Sequence, residues 1–246
     1  MKIEDLKSKV LAFERIIEGG LKEKYRNHPQ EFRDNLNLMN PLYRINIDDF
    51  IDIYLKNSQY PPERLAKVIY YCMDFKLQLY YLLEVDAGLH NKLVYQLGYD
   101  KKNPYNTPHL LLTRQSVDQS IILKSRILWE RGINLIYFLE TGENIENKVS
   151  SNKSKRKIFF DFVESSSKWY FMLEYRNIID QYDQSYRSPE SHKNSVLRAE
   201  LIGNKTIGSN DILDLLNYGL NVIWQGIIEI ISGKTPKYKF RISKNP

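Results

Sequence analysis

The stretch 107-TPHLLLTRQSVDQSIILKSRILWERGINLIYFLETG-142 decides the fold class of this chain. Thr107 and Pro108 indicate a helix start, because a threonine side chain caps free backbone amides and proline fits the first helical position. Thr141 and Gly142 indicate its end. Apolar residues recur between them at three- and four-residue spacing, which predicts one helix of about nine turns. They cover more than one face, so we expect burial against several helices. These residues are Ile122, Ile127, Leu128, Ile133, Leu135, Ile136 and Phe138.

The rest of the chain repeats this spacing and shows almost none of the two-residue alternation that marks strands. Its N-terminal part predicts a first helix with an apolar stripe of Leu6, Val10, Phe13, Ile16 and Ile17, interrupted at Gly19-Gly20. An irregular segment over 27–46 follows, then a short helix capped by Asp48 or Asp49 that runs to Asn57, and a long helix from Pro61-Pro62. The C-terminal part predicts an exposed loop over 144–154, then helices over 155–163, from a serine cap at 165–167 through Tyr182, from Ser188 to Ile202, and from Ser209 to Gly233. The predicted fold class is therefore all-α, a helical bundle.

Composition narrows the class of protein further. The 246 residues are 42% hydrophobic, which is enough for a real core. Cys72 is the single cysteine, and the opening residues MKIEDLKSK are charged where a secretion signal would be apolar, so we expect a reducing, cytoplasmic setting. The longest strongly apolar stretch, 215–228, is shorter than the roughly 20 residues that a bilayer requires, and it contains polar side chains. We therefore expect no membrane segment.

The charge of the chain is unevenly distributed. The formal net charge is +6, made up of −1 in residues 1–100 and +7 in residues 101–246. The excess is concentrated in two basic clusters, one of Lys153, Lys155, Arg156 and Lys157 and one of Lys234, Lys237, Lys239, Arg241 and Lys244. Each cluster has two interpretations, solvated loop or tail charge, or contact with a phosphate backbone. Anionic partners such as nucleic acid are thus allowed but not required.

Several common active-site motifs are missing from the sequence. The run Gly233-Lys234-Thr235 ends like a phosphate-binding P-loop, but Gly226 precedes it by the wrong interval, and the run follows a helix instead of a strand. His28, His90 and His109 lie in different segments without metal-ligand spacing, and no GxSxG nucleophile elbow occurs. The sequence therefore predicts neither a metal nor another cofactor.

One cluster of chemically active residues remains, 186-YRSPESHK-193. If Ser188 caps a helix that begins at the next residue, His192 lies in its first turn and Arg187 stands just outside its end. Free amides and the helix dipole make such an end an anion site, and an arginine adds a bidentate donor suited to phosphate. A histidine there can transfer a proton near neutral pH, as RNA cleavage by an activated 2′-hydroxyl requires. The alternative is a surface arginine beside a structural histidine.

At these residues the chain resembles the HEPN domains of prokaryotic toxins and defence systems. Their signature is an arginine followed, after four to six residues, by a histidine, and Arg187 and His192 with four residues between them fit it. The resemblance covers roughly residues 105–232 and extends back towards the Pro61 helix, whereas residues 1–60 resemble nothing recognised. It also rests on the segments 128-LWER-131, 139-LETG-142, 155-KRKIFF-160 and 186–198.

The resemblance implies an α-helical bundle, commonly a homodimer in which two such motifs face one cleft, and metal-independent RNA cleavage in active members. It implies that Arg187 holds the phosphate and that His192 transfers protons. Many members carry asparagine or another polar group after the arginine to help position RNA, and Ser188 departs from this pattern because its side chain is already expected to cap the helix. Physical reasoning adds Tyr186 for stacking on a base and Lys193 for a second phosphate.

The expected organisation is an N-terminal extension over 1–60, a HEPN-like bundle over 61–233 and a basic tail over 234–246. The expected function is a metal-independent ribonuclease, a toxin or defence effector that acts on RNA and has an antitoxin or other protein partner. The alternatives are a non-catalytic module that binds nucleic acid, nucleotide or a partner protein, and a purely structural adaptor. The apolar side chains of the last helix predict either a central position in the bundle or a homodimer interface.

Overall fold

The computed structural model describes residues 2–24, 39–57, 59–85, 108–187 and 209–236. About 83% of the described residues are helical, and no strand occurs among them, so the predicted all-α class is confirmed. The α-helices are α1 (Ile3–Lys24), α2 (Met39–Arg44), α3 (Ile47–Lys56), α4 (Leu65–Val85), α5 (Pro108–Thr141), α6 (Lys155–Ser165), α7 (Met172–Tyr182) and α8 (Ser209–Ile231). Short 3-10 turns cover Pro62–Arg64 and Ile145–Lys148, and a π-helical turn covers Asp183–Arg187.

The long helices α4 and α5 form the most extensive helix pair of the bundle. They approach closely at Gly132, where an added Cβ would lie 3.3 Å from the Phe75 ring. The expected burial of α5 on several sides is confirmed for the apolar residues named above except Ile127, which is 42% exposed, and Leu112 and Leu123 of the same helix are exposed as well. Helix α5 is therefore the central element that positions the helices of the C-terminal part.

Helix α1 continues through Gly19-Gly20, so the predicted interruption is wrong. A Cβ at Gly20 would lie 2.4 Å from the Tyr80 hydroxyl, which shows that the glycine lets α1 approach α4. The propensity loss of about 1 kcal/mol per glycine is smaller than the stabilisation from burying the apolar face of α1. That face contains Leu6, Val10, Ile17 and Leu21, whereas Ile16 is 72% exposed and does not belong to it.

Two predicted helix starts are also wrong. The cap of α3 is Asn46, whose side-chain oxygen accepts the amides of Asp48 and Asp49 at 3.1 Å each. The two aspartates lie in the first turn, where their charge favours the helix dipole. Helix α7 begins at Met172 without a side-chain cap, after a turn in which Trp169 is fully buried. Packing of that tryptophan, instead of a serine cap, sets the start of α7.

Two segments predicted to be irregular contain short helical elements. Helix α2 lies within 27–46, and the 3-10 turn at Ile145–Lys148 lies within the predicted loop over 144–154. The buried side chain of Ile145 anchors that turn, while the residues from Glu146 to Ser154 are exposed. The prediction of an exposed loop is therefore correct for most of the segment but not for its first turn.

Helix α8 packs against α2, α3, α5 and α7. Most of the apolar side chains that the structure describes in α8 are buried within the single chain, so the core explanation accounts for them without a dimer. The buried residues include Leu216, Leu220, Ile223, Ile227 and Ile230. The predicted end at Gly233 is close to the observed one, since Gly233 has a φ of 76° after the last helical residue. None of the described helices is long and apolar enough to cross a bilayer.

Candidate functional site

The turn that leads into the arginine–histidine motif is attached to the central helix. Helix α7 passes directly into the π-helical turn, whose last residue is Arg187. At its base, the buried Tyr182 hydroxyl donates a hydrogen bond to the Ile122 carbonyl of α5. Tyr186 is half-buried, and its ring centroid lies 5.9 Å from that of Tyr182. The backbone that carries the motif's arginine is therefore held against the bundle.

A charged cluster joins this turn to two other helices. One carboxylate oxygen of Asp183, Oδ2, accepts hydrogen bonds from Nη1 of Arg126 on α5 at 3.3 Å and from Nη1 of Arg156 on α6 at 2.9 Å. Arg156 also forms an ion pair with Asp180 of α7. The side chain of Asp183 is only 14% exposed, so solvent screens these contacts less than it screens surface ion pairs.

Part of the basic cluster at 153–157 forms ion pairs with acidic residues of the same chain. Lys155 forms ion pairs with Glu146 and, at 3.7 Å, with Glu130. Arg156 belongs to the Asp183 cluster described above. Lys153 and Lys157 are exposed. Two of the four cations that could follow a phosphate backbone therefore have a structural role. The tail cluster, apart from the exposed Lys234, lies outside the described residues.

Most of the site predicted from sequence also lies outside the described residues. The parts outside the described residues are the side chain of Arg187, the residues Ser188, His192 and Lys193, and the whole predicted helix from Ser188 to Ile202. Tyr186 is the one member of the predicted site whose side chain is described, and it packs against the core. The proximity of Arg187 and His192 therefore stays a prediction.

Four buried polar residues in the described part of α5, namely Gln115, Asp118, Ser125 and Asn134, were not predicted as site residues. Gln115 is 7% exposed and Asp118 is 1% exposed. Asp118 lies one helical turn before Ile122, on the face of α5 that contacts α7 through Tyr182. A buried carboxylate is costly unless its environment compensates its charge. The sequence signal that could have identified Asp118 is its register with the apolar residues Ile122 and Trp129.

A cleft of about 420 Å³ lies elsewhere, between the α2–α3 corner and α8. It is lined by both apolar and polar side chains. Arg44 Nη1 donates across it to Asn221 Oδ1 at 3.3 Å. The lining residues are Arg44, Asn46, Asp49, Ile53, Leu220, Asn221, Trp224, Gln225 and Ile228. They come from distant parts of the chain, so no local motif could reveal the cleft.

A second cleft, of about 330 Å³, is lined by a charged pair, the buried Lys76 and the partly exposed Glu14. Lys76, which is 5% exposed, forms an ion pair with Glu14 of α1 and donates to the Ile45 carbonyl at 2.8 Å. Burial lowers the pKa of Lys76, against the opposing influence of Glu14. Since the ammonium contacts α1 and the α2–α3 corner at once, it holds these elements on α4.

Comparisons of the chain with family models, with curated proteins and with solved structures give no match. Among the described residues, no group of three or more histidine, cysteine, aspartate or glutamate side chains could hold a metal ion. What the fold and its contacts define is an all-α helical bundle.

Proposed function

We propose that this protein is a metal-independent ribonuclease of the HEPN type that acts through Arg187 and His192. The observation that carries the proposal is the spacing of these two residues, directly after a turn whose backbone is held by the bundle. The attachment of that turn through Tyr182 and Asp183 supports the proposal, because a catalytic group must be held in place to act.

The proposed reaction is an intramolecular transfer within RNA. His192 takes the proton of a 2′-hydroxyl, whose oxygen attacks the adjacent phosphorus while the bond to the 5′-oxygen breaks. The products are a 2′,3′-cyclic phosphate and a 5′-hydroxyl, which receives a proton as it leaves. Arg187 stabilises the charge of the phosphate through two parallel hydrogen bonds. Tyr186, Ser188 and Lys193 border the site and bind a base or a neighbouring phosphate.

The proposed biological setting is a toxin or defence effector in the cytoplasm, controlled by an antitoxin or another protein partner. In a homodimer, two copies of the motif would share one cleft. The apolar face of α8 does not argue for that dimer, since the single chain buries it.

The proposal is tested by incubating the purified protein with labelled single-stranded RNA in EDTA. We expect cleavage that persists under chelation and disappears in His192→Ala, while much of the RNA binding remains. Arg187→Lys should weaken both cleavage and binding, because a point charge cannot replace the planar fork. His90→Ala is the matched control, a histidine outside the motif. Cleavage that His192→Ala leaves intact would contradict the proposed site.

A second candidate function is a non-catalytic module that binds nucleic acid, nucleotide or a partner protein. The 420 Å³ cleft favours it, because its size falls in the range of about 300–1,000 Å³ typical of small-molecule sites. Its lining combines the guanidinium of Arg44, the carboxylate of Asp49 and the amide of Gln225. Binding of RNA or nucleotide without cleavage, lost in Arg44→Ala and retained in His192→Ala, would favour this function over the first.

A further inference from the structure

The π-helical turn Asp183–Arg187 follows α7 and ends at the arginine of the arginine–histidine motif. A π-turn contains one more residue than an α-helical turn, and such turns are rare and frequently found at functional sites. Successive residues of an α-helix are rotated by about 100° around its axis. One additional residue therefore changes, by about that angle, the side of the α7 axis on which the backbone of Arg187 lies.

Contacts to two different helices hold this unusual turn. At its first residue, Asp183 accepts hydrogen bonds from Arg126 of α5 and Arg156 of α6 on the same oxygen. The side chains of the two arginines are 19% and 23% exposed, respectively, so the contacts are partly shielded from water. Such charge-assisted hydrogen bonds are about twice as strong as those between neutral groups. Directly before the turn, Tyr182 bonds to α5.

Asp183 therefore joins the turn to α5 and α6 at once. We infer that Asp183 is a positioning residue for RNA cleavage, which fixes the π-turn and thereby the backbone at Arg187. The inference rests on the proposed ribonuclease function. Asp183 acts through Arg187 and makes no contact with the substrate itself. Since a misplacement of about 1 Å can reduce a catalytic rate roughly a hundredfold, loosening the turn slows the chemical step.

The test compares Asp183→Asn with Glu164→Gln. The first variant keeps the shape of the side chain and removes the charge that both arginines contact. The matched control weakens another ion pair between α6 and α7, in which Arg176 Nη1 lies 3.1 Å from Glu164 Oε1. This pair does not involve the π-turn. Both variants lose one carboxylate that pairs with an arginine. A difference between them therefore reports where the carboxylate lies, and not merely that one carboxylate has been removed.

Two properties are measured in each variant: hydrogen exchange of the backbone amides of 183–187, and kcat and KM for single-stranded RNA in EDTA. For Asp183→Asn we expect faster exchange in these amides and a kcat lowered by about tenfold or more, with KM changed by less than about threefold. For Glu164→Gln we expect all three values to stay near those of the wild type. If Asp183→Asn does not fold, Arg126→Gln removes one of the two hydrogen bonds and should give the same pattern with smaller changes.

Three results would overturn the inference, and they are distinguishable. If the wild type cleaves RNA and Asp183→Asn keeps its kcat, while its urea midpoint falls, Asp183 serves stability alone and the ribonuclease proposal still stands. If the wild type does not cleave RNA, the proposed function fails and the role of Asp183 in cleavage fails with it. Unchanged exchange at 183–187 in Asp183→Asn would show that the two arginine contacts do not hold the turn.

Discussion

Replacement of Gly226 by alanine tests the packing of α8 against the start of α7. A Cβ at this position would lie 2.4 Å from Cζ and 2.7 Å from Cε2 of Phe171. Favourable contacts between carbon atoms occur at about 3.5–4.0 Å, so the ring would have to move by about 1 Å. Phe171 is 7% exposed and its ring centroid lies 6.0 Å from that of Trp169, which leaves it little space to move.

Two opposing effects set the magnitude of this change. Alanine gains about 1 kcal/mol over glycine in a helix interior. Overpacking in a well-packed core costs about 1–3 kcal/mol. We therefore expect Gly226→Ala to lower the free energy of unfolding by up to about 2 kcal/mol. The control is Gly19→Ala in α1, where an added Cβ meets nothing within 4 Å. That variant should be more stable than the wild type by about 1 kcal/mol.

Urea unfolding measures both variants under the same conditions. The difference between them isolates the contact with Phe171, because the propensity gain is common to both. We expect the midpoint to rise in Gly19→Ala and to fall in Gly226→Ala, with similar slopes. An equal rise in both variants would refute the close packing of α8 on Phe171.

Two further predictions concern buried ionisable groups. Lys76→Met should lower the free energy of unfolding by about 2 kcal/mol. This is less than the loss of about 3–5 kcal/mol typical of fully buried pairs, because the side chain of Glu14 is still 27% exposed. A urea midpoint equal to that of the wild type would contradict this expectation. Because the pKa of Lys76 is lowered in the folded state, the unfolded chain binds more protons than the folded one between this lowered pKa and the ordinary lysine pKa of 10.5. The contribution of Lys76 to stability therefore rises with pH in that window, and this pH dependence should be absent in Lys76→Met. Burial raises the pKa of Tyr54 from 10.0 to about 12, so the folded state binds more protons above pH 10 and stability falls there. Tyr54→Phe should therefore lose less stability than the wild type between about pH 9 and about pH 11 in urea unfolding, and an equal loss would count against this assignment.

The helices that could be predicted from sequence are those with both caps and periodicity. Helix α5 begins at Pro108 and ends at Thr141 as its flanking signals predict, and Gly142 adopts the expected positive φ of 72°. The failures have tertiary causes. Gly20 looks like a helix breaker until Tyr80 packs against it, and the start of α7 depends on the burial of Trp169 instead of a local cap.

For the candidate site, too, local features could be predicted from the sequence, whereas contacts between distant residues could not. The spacing of Arg187 and His192 is a local signal, so the motif could be identified from sequence. The contact between Arg126 and Asp183 joins residues 57 positions apart, and charged residues at that separation give no pattern. No residue type in the π-turn marks it in the sequence, and the contacts of Asp183 with α5 and α6 likewise join distant positions. Asp118 could have been noticed from its register on α5, but its surroundings could not.

The most direct test of the proposed ribonuclease is the identity of the ends it leaves on RNA. Wild type and His192→Ala are incubated with a defined single-stranded RNA in EDTA, and the masses of the fragments are determined by mass spectrometry. Attack by the 2′-hydroxyl predicts fragments that end in a 2′,3′-cyclic phosphate and begin with a 5′-hydroxyl, formed by the wild type and not by His192→Ala. Fragments with 5′-phosphate and 3′-hydroxyl ends, or RNA left intact by the wild type, would contradict the account.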